Sequence, residues 1–310
     1  MDPLVQVLLP TYERPEFLKE ALDSVFRQTY SNYRILIIDN SKSNKTEKML
    51  SEFFPHNPKL DYHHEPNFTE GDNWHYLNQH FYDDAKYLQW LMDDDIFYPE
   101  KFEKMVAAYE QYPDIMLVTS FRHTFGDKIN YTGQLVDTLG RHQGELIGKI
   151  MLLEQRNIIG EPTTALVKKS TLTHRELGWG RDEGEYVIAD FPRWLDLLSR
   201  GDLIYFPEPL SKFRVHGAQS VAKFDVQITC AICWLINIRY AIRNKVFLVD
   251  RDSQREALLN WVQNALRQEQ KYKAENYSSI KFSRFQKLIP HVFQAVKTDS
   301  PLDLDPIIFP

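Results

Sequence analysis

Three adjacent carboxylates, Asp93, Asp94 and Asp95, stand in "YLQWLMDDDIFYPEKF" between two apolar stretches. Like charges at consecutive positions repel, so such a run needs a solvated loop or a bound cation to be tolerated. Carboxylate clusters suit Mg²⁺ or Mn²⁺, which take oxygen ligands and keep coordination places for substrate phosphate oxygens. Two further polar clusters end apolar runs: Thr11, Tyr12, Glu13 and Arg14 follow "VQVLLP", and Asp39, Asn40 and Ser41 follow "YRILII". The chain carries neither G-x-x-x-x-G-K-[ST] nor G-x-G-x-x-G, so no glycine-built phosphate cradle is available. A phosphate here would need a cation to meet its charge. Turn chemistry alone also explains isolated Asp, Asn and Ser at strand ends, and an acidic residue before Pro99 suits a helix start.

The elements that must position these groups follow from hydrophobic spacing. Val5 to Pro10 and Tyr33 to Ser41, the latter stopped by Asp39, Asn40 and Ser41, read as buried parallel strands. Between them Pro15 opens an amphipathic helix with apolar residues at Phe17, Leu18, Ala21, Leu22, Val25 and Phe26. A helix through "KTEKMLSEFF", a strand near "LDYHHE", a helix through "GDNWHYLNQHF" and a strand at "YLQWLM" follow. A helix opened by Pro99 and a strand at "IMLVTSF" complete the alternation, which predicts a parallel α/β sheet. In such sheets ligands lie beyond the carboxyl ends of the strands, where all three polar clusters fall. The second half reads as a loop and strand over "IIGEPTTALVKKSTL", a helix over "FPRWLDLLSRG", an extended "DLIYFPEPLSKFRV", and helices to the end.

The 310 residues are 43% hydrophobic, and the net charge of −6 does not favour a nucleic-acid partner. Cys230 and Cys233 form a lone C-x-x-C without a second pair, so they read as buried thiols and suggest a reducing, cytoplasmic setting. Met1 leads directly into a strand-like run, so no secretory leader is expected, and the run from Val226 to Ile238 falls short of the ~20 residues of a membrane span.

With these motifs in view, the chain resembles the bacterial type of family-two glycosyltransferases of the GT-A fold. The resemblance rests on "VLLPTYERPEFLKEALDSVFRQTYSNYRILIIDNS", "NFTEGDNWHYL", "WLMDDDIFYPEKFEKMV", "IIGEPTTALVKKSTL" and "ADFPRWLDLLSRGDLIYFPEPLSKFRVHGAQS" in order, over roughly residues 4 to 220. Thr69 stands where the family usually has glycine, and Asn40 where it often has a second aspartate.

The resemblance implies an α/β/α sandwich with a mixed, Rossmann-like sheet over 1–220 and a helical C-terminal extension over 221–310. It implies transfer of a sugar, with inversion, from a UDP- or dTDP-type donor to a hydroxyl of a glycan or glycoconjugate, as in polysaccharide biosynthesis. Thr11, Tyr12, Glu13, Arg14, Asp39, Asn40, Asn67, Asn73, Asp93 and Arg214 would then hold the nucleotide-sugar. Mn²⁺ or Mg²⁺ would sit on Asp94, Asp95 and His216, with the division among Asp93 to Asp95 left open. Asp190 would be the catalytic base, although it is also a good helix N-cap. Glu161 is a rival base or acceptor contact, and Trp179, in a glycine-flanked loop, is an acceptor platform. Trp90 and Trp194 read as core. The residues alone also admit a metal-dependent nucleotidyl- or phosphotransferase, or a non-catalytic carbohydrate-binding module. The helical extension leaves open a homodimer or a peripheral contact at the inner face of a membrane.

Overall fold

The structure is a computed structural model that describes residues 2–127, 140–172, 190–217, 223–298 and 300–304. The described parts of 1–142, 159–173 and 202–216 form one compact unit, and those of 143–158, 174–201 and 217–310 form a second. Trp179 lies outside the described residues.

The first unit is built on a mixed sheet. Strand β1 (Leu4–Thr11) lies between β2 (Tyr33–Asp39) and β4 (Ala85–Trp90), parallel to both, and β3 (Leu60–His64) extends the sheet beyond β2. The order reverses at β1, which puts the switch point between β1 and β4. Next to β4 runs the antiparallel β8 (Leu166–Lys168), then β6 (Leu117–Gly126) and β9 (Leu203–Val215). Short β5 (Ile96–Phe97) and β7 (Gly140–His142) each pair antiparallel with β9. The two prolines of β9, Pro207 and Pro209, are tolerated because the register with β6 shifts around Phe121, as a bulge allows.

The helices follow the spacing of apolar residues. Helix α1 (Pro15–Phe26) buries Leu18, Ala21, Leu22 and Val25 in one cluster with Val5, Val7 and Leu9 of β1. Truncating a fully buried leucine such as Leu18 to alanine would cost about 3 kcal/mol. Buried Ser24 accepts from the Phe97 N–H at 3.1 Å, which ties β5 to α1. Helix α2 (Lys45–Phe53) follows β2. Helix α3 (Glu70–Gln79) explains the departure at Thr69. Its hydroxyl accepts from the Asp72 N–H while Asp72 accepts from the Thr69 N–H, a reciprocal cap that glycine cannot make. Helix α4 (Lys101–Gln111) begins two residues beyond Pro99, with Glu100 at its N-cap, so Pro99 ends the preceding turn and is not the first helical residue.

The second unit is helical: α5 (Gly144–Glu154), α6 (Phe191–Arg200), α7 (Phe224–Asn244), α8 (Arg251–Ala274) and α9 (Ile280–Thr298). A Cβ at Gly144 would come within 2.0 Å of the Gly201 carbonyl oxygen, so the closeness of α5 to the end of α6 requires glycine there. Trp194 is fully buried, and Trp261 donates its indole N–H to the Ala231 carbonyl at 2.7 Å. Cys233 is buried, and burial pushes the thiol of half-buried Cys230 up to about 11, so neither is a ready thiolate. Among the described residues no helix is long and apolar enough to cross a membrane.

Candidate functional site

The parallel strands β1, β2 and β4 deliver Thr11, Asp39 and the aspartate run to one rim of the sheet, beside the switch point. There the three aspartates face three different sets of donors. Asp93 is buried. Its Oδ2 accepts from the Thr11 hydroxyl at 2.8 Å and from Arg14 Nε at 3.2 Å, and its Oδ1 lies 2.7 Å from Arg14 Nη2. Burial raises its carboxyl to about 6, with Arg14 pulling it down and Asp94 pushing it up.

Asp95 is also buried and turns the other way. Its Oδ2 accepts from the Thr163 hydroxyl at 2.6 Å and its Oδ1 from the Arg214 N–H at 3.1 Å. Burial pushes its carboxyl well above the ordinary range, and neighbouring Asp94 adds to this. Thr163 belongs to a short 3-10 turn, Pro162–Thr164, that two buried side chains hold in place. Gln89 donates to the Thr163 carbonyl at 3.1 Å, and Lys101 donates to the Thr164 carbonyl at 2.8 Å.

Asp94 stands between them, also buried but the least deeply of the three. Arg14 Nη1 at 3.1 Å and His216 Nε2 at 2.9 Å both reach its Oδ2. Repulsion within the run is therefore relieved by Arg14, His216, two hydroxyls and a backbone N–H. Among the described residues no group of three His, Cys, Asp or Glu side chains converges to hold a metal. Two do meet, Asp94 and His216, one oxygen and one imidazole donor. That set fits Mn²⁺ or Mg²⁺, which commonly takes one or two protein ligands and completes its shell with water and phosphate oxygens.

Arg214, expected at the diphosphate, is held as a strut. Its Nε donates to the Asp94 carbonyl at 2.9 Å, its Nη2 pairs with Glu20 at 2.6 Å, and its guanidinium lies between the rings of Phe17 and Phe125, 4.3 and 4.4 Å from their centroids. The ring of Phe17 also lies 5.7 Å from that of His216.

A second cluster gathers beyond β2. Asp39 is fully buried, accepting from the Tyr62 hydroxyl at 2.9 Å and the Ser41 N–H at 2.8 Å. Burial and the Asp39 carboxylate together push the Tyr62 phenol far up, so it remains a donor. Asn40 accepts from Asn73 at 2.8 Å and donates to the Phe68 carbonyl at 3.0 Å, so both ends of its amide are bonded within the protein. Glu13, at a positive φ of 52°, accepts from the Lys42 N–H at 2.8 Å and from the Ser43 N–H at 3.0 Å, fastening the turn after β1 to the turn after β2. Hydrogen bonds to Ser43 hold its carboxyl below the usual range. Tyr12, 49% exposed, and Asn67, in an exposed turn, present side chains to solvent on this rim.

Glu161 pairs with Arg122 of β6, Nη2 to Oε1 at 2.5 Å, so its carboxylate is already neutralised. Asp190 belongs to the second unit. Its side chain accepts from the Phe191 N–H at 2.8 Å, capping α6, and from Asn157 at 3.3 Å. Thr163, Gln89 and Lys101 are supporting residues that sequence reasoning missed; the only signal was the polar "EPTT" beside Glu161.

A family model described as "Glycosyl transferase family 2" matches residues 6–175. The chain belongs to this family. An uncharacterized glycosyltransferase of Rickettsia typhi is 24% identical over 219 residues, 71% of this chain and 66% of the relative. One of Rickettsia felis is 26% identical over 258 residues, 80% of this chain and 40% of the relative. The chain thus spans less than two thirds of these relatives' length. Among solved structures, S. aureus TarS 1–349 in complex with UDP-GlcNAc is similar with a TM-score of 0.59 at 11% identity, covering 96% of this chain and 92% of that one. A Pyrobaculum calidifontis mannosyltransferase in complex with GDP-Man and Mn²⁺ is similar with a TM-score of 0.56 at 14% identity, covering 99% and 85%. The α/β fold with its mixed sheet and C-terminal helices is that of the GT-A glycosyltransferases.

Proposed function

We propose that this family-two glycosyltransferase moves a sugar from a nucleoside diphosphate sugar, of UDP or dTDP type, to a hydroxyl of a glycan or glycoconjugate. The observation that carries the reading is the convergence of Asp94 and His216 at the switch point, at 2.9 Å, with a basic residue and no glycine cradle beside them. Two similar proteins were solved with nucleoside diphosphate sugars, one of them with Mn²⁺, which supports the donor class.

Asp94 and His216 would hold Mn²⁺ or Mg²⁺, which supplies Lewis-acid neutralisation of a diphosphate leaving group. Asp93 and Asp95, bonded on either side, orient the loop that carries Asp94. Arg14, whose side chain is 39% exposed, can follow the donor's phosphates once Asp94 is otherwise engaged. Tyr12 offers a half-exposed ring for the base. Asp190 would take the proton from the acceptor hydroxyl as its oxygen attacks the anomeric carbon from the face opposite the diphosphate, giving inversion. A carboxylate can serve as base for such a step because the hydroxyl proton becomes acidic as the bond forms.

The test is thermal unfolding with Mn²⁺ and a panel of nucleoside diphosphates, followed by donor hydrolysis and transfer assays. At least one nucleotide should raise Tm only with the metal, and Asp94→Ala should remove that shift. No metal-dependent shift with any nucleotide would sink the donor site. Release of pyrophosphate in place of a nucleoside diphosphate would favour a nucleotidyltransferase.

A further inference from the structure

Arg214 lies beside the proposed metal site, yet the hydrogen bonds of its Nε and Nη2 go to the protein. Its Nε bonds the backbone of Asp94, its Nη2 bonds Glu20, and two phenylalanine rings enclose its plane. Its own N–H holds Asp95. Two residues further on, His216 reaches Asp94 Oδ2 and lies against Phe17, the same ring that covers Arg214. Phe17 and Glu20 are three apart on α1, hence on one face of the helix. Arg14, just before that helix, holds Asp93 and reaches the same Asp94 Oδ2 as His216.

We infer that Arg214 is a positioning residue, clamped by Phe17, Phe125 and Glu20, that sets His216 and Asp94 at metal-binding separation through α1. The inference rests on the proposal that Asp94 and His216 bind the metal. Its physical basis is geometric. Among the described residues the last ladder pair of β9 is Val215 with Gly126, one residue before His216. A planar guanidinium against two rings, bonded at both edges, anchors the strand two residues before His216. Lysine could supply the same charge but could not span Glu20 and the Asp94 carbonyl from one plane.

Two roles for Arg214 predict opposite signs in one measurement. If it acted only as a nearby positive charge, or as a phosphate ligand, its removal would lessen repulsion of a dication, and Mn²⁺ alone would bind tighter. If it positions the ligands, its removal makes Mn²⁺ alone bind more weakly. The experiment titrates the full chain with Mn²⁺ in the absence of nucleotide, reading free Mn²⁺ by electron paramagnetic resonance and broadening of the His216 ring signals by NMR.

Arg214→Met should weaken Mn²⁺ binding about tenfold, the order expected when two enclosed cation–π contacts are lost. Phe17→Leu, which changes no charge and keeps apolar volume, should weaken binding in the same direction and serves where Arg214→Met does not fold. Glu20→Gln should cost less than about threefold, because the carboxylate is exposed. Tighter or unchanged Mn²⁺ binding in Arg214→Met, or unchanged binding in Phe17→Leu, overturns the positioning role while leaving the metal site standing. A wild-type chain that binds no Mn²⁺ and shows no His216 broadening removes the metal site itself, and the inference with it.

Discussion

Arg14 and His216 approach the same carboxylate oxygen of Asp94, at 3.1 and 2.9 Å, from distant parts of the sequence. Arg14 also spans Asp93, whose burial raises its carboxyl to about 6. The folded value lies above the ordinary ~3.9 of an unfolded aspartate. Protonated Asp93 therefore favours the folded chain, and this contribution is fully present below about pH 4 and lost as pH rises through about 6. Replacing Arg14 by glutamine removes the cation that keeps the ionised form tolerable. Arg14→Gln should destabilise by roughly 2 kcal/mol at pH 8, less than a fully buried pair would because Arg14 is partly in water. At pH 5 the cost should be much smaller. Denaturation at both pH values with chelator present checks this, and an equal loss at both would contradict it.

Asn40 tests whether the family's usual aspartate is missing for a structural reason. Its amide nitrogen donates to the Phe68 carbonyl and its oxygen accepts from Asn73. Aspartate could keep the second bond but would set a carboxylate oxygen against the Phe68 carbonyl. Asn40→Asp should cost about 1–3 kcal/mol and loosen the turn that leads to α3. Asn40→Ala, which loses both bonds without adding a charge, is the control. A stable Asn40→Asp variant would mean that the turn can readily rearrange around a carboxylate.

Asp190 separates capping from catalysis. Asparagine is as good an N-cap as aspartate, so Asp190→Asn should leave stability nearly unchanged, while Asp190→Ala should cost ~1 kcal/mol. Both should retain metal-dependent nucleotide binding. Transfer should fall by at least about a hundredfold in each, the range expected for loss of a general base. A fully active Asp190→Asn enzyme would remove Asp190 as base.

The rim of the site was legible because strand ends are local. Apolar runs ending at Thr11, Asp39 and Met92 place their polar successors at one edge once the strands are parallel, and the 3.6-residue spacing after Pro15 fixes which face of α1 turns inward. What occupies each carboxylate was not legible, because the partners are distant in sequence. Thr163 is 68 residues from Asp95, and Arg214 is 194 from Glu20. No local pattern distinguishes an arginine aimed at a diphosphate from one enclosed by Phe17 and Phe125. Thr69 was a different case. Its spacing to Asp72 is a capping signal visible in the sequence, and it accounts for the missing glycine without loss of the helix.

The three aspartates should also separate by substitution. Asp94 offers the least deeply buried carboxylate, the one that meets His216, whereas Asp95 has both oxygens bonded by Thr163 and the Arg214 N–H. Asp94→Asn should abolish Mn²⁺ binding. Thr163→Val, nearly the same shape, removes the hydroxyl donor from a buried carboxylate and should destabilise by about 2 kcal/mol, with Thr163→Ser close to wild type. Because burial already holds Asp95 well above the ordinary range, losing that donor pushes it further in the same direction. Asp95→Asn keeps an oxygen for one of these donors and should keep most of the Mn²⁺ affinity. If Asp95→Asn lost Mn²⁺ binding as completely as Asp94→Asn while remaining folded, Asp95 would have to leave Thr163 and ligate the metal directly.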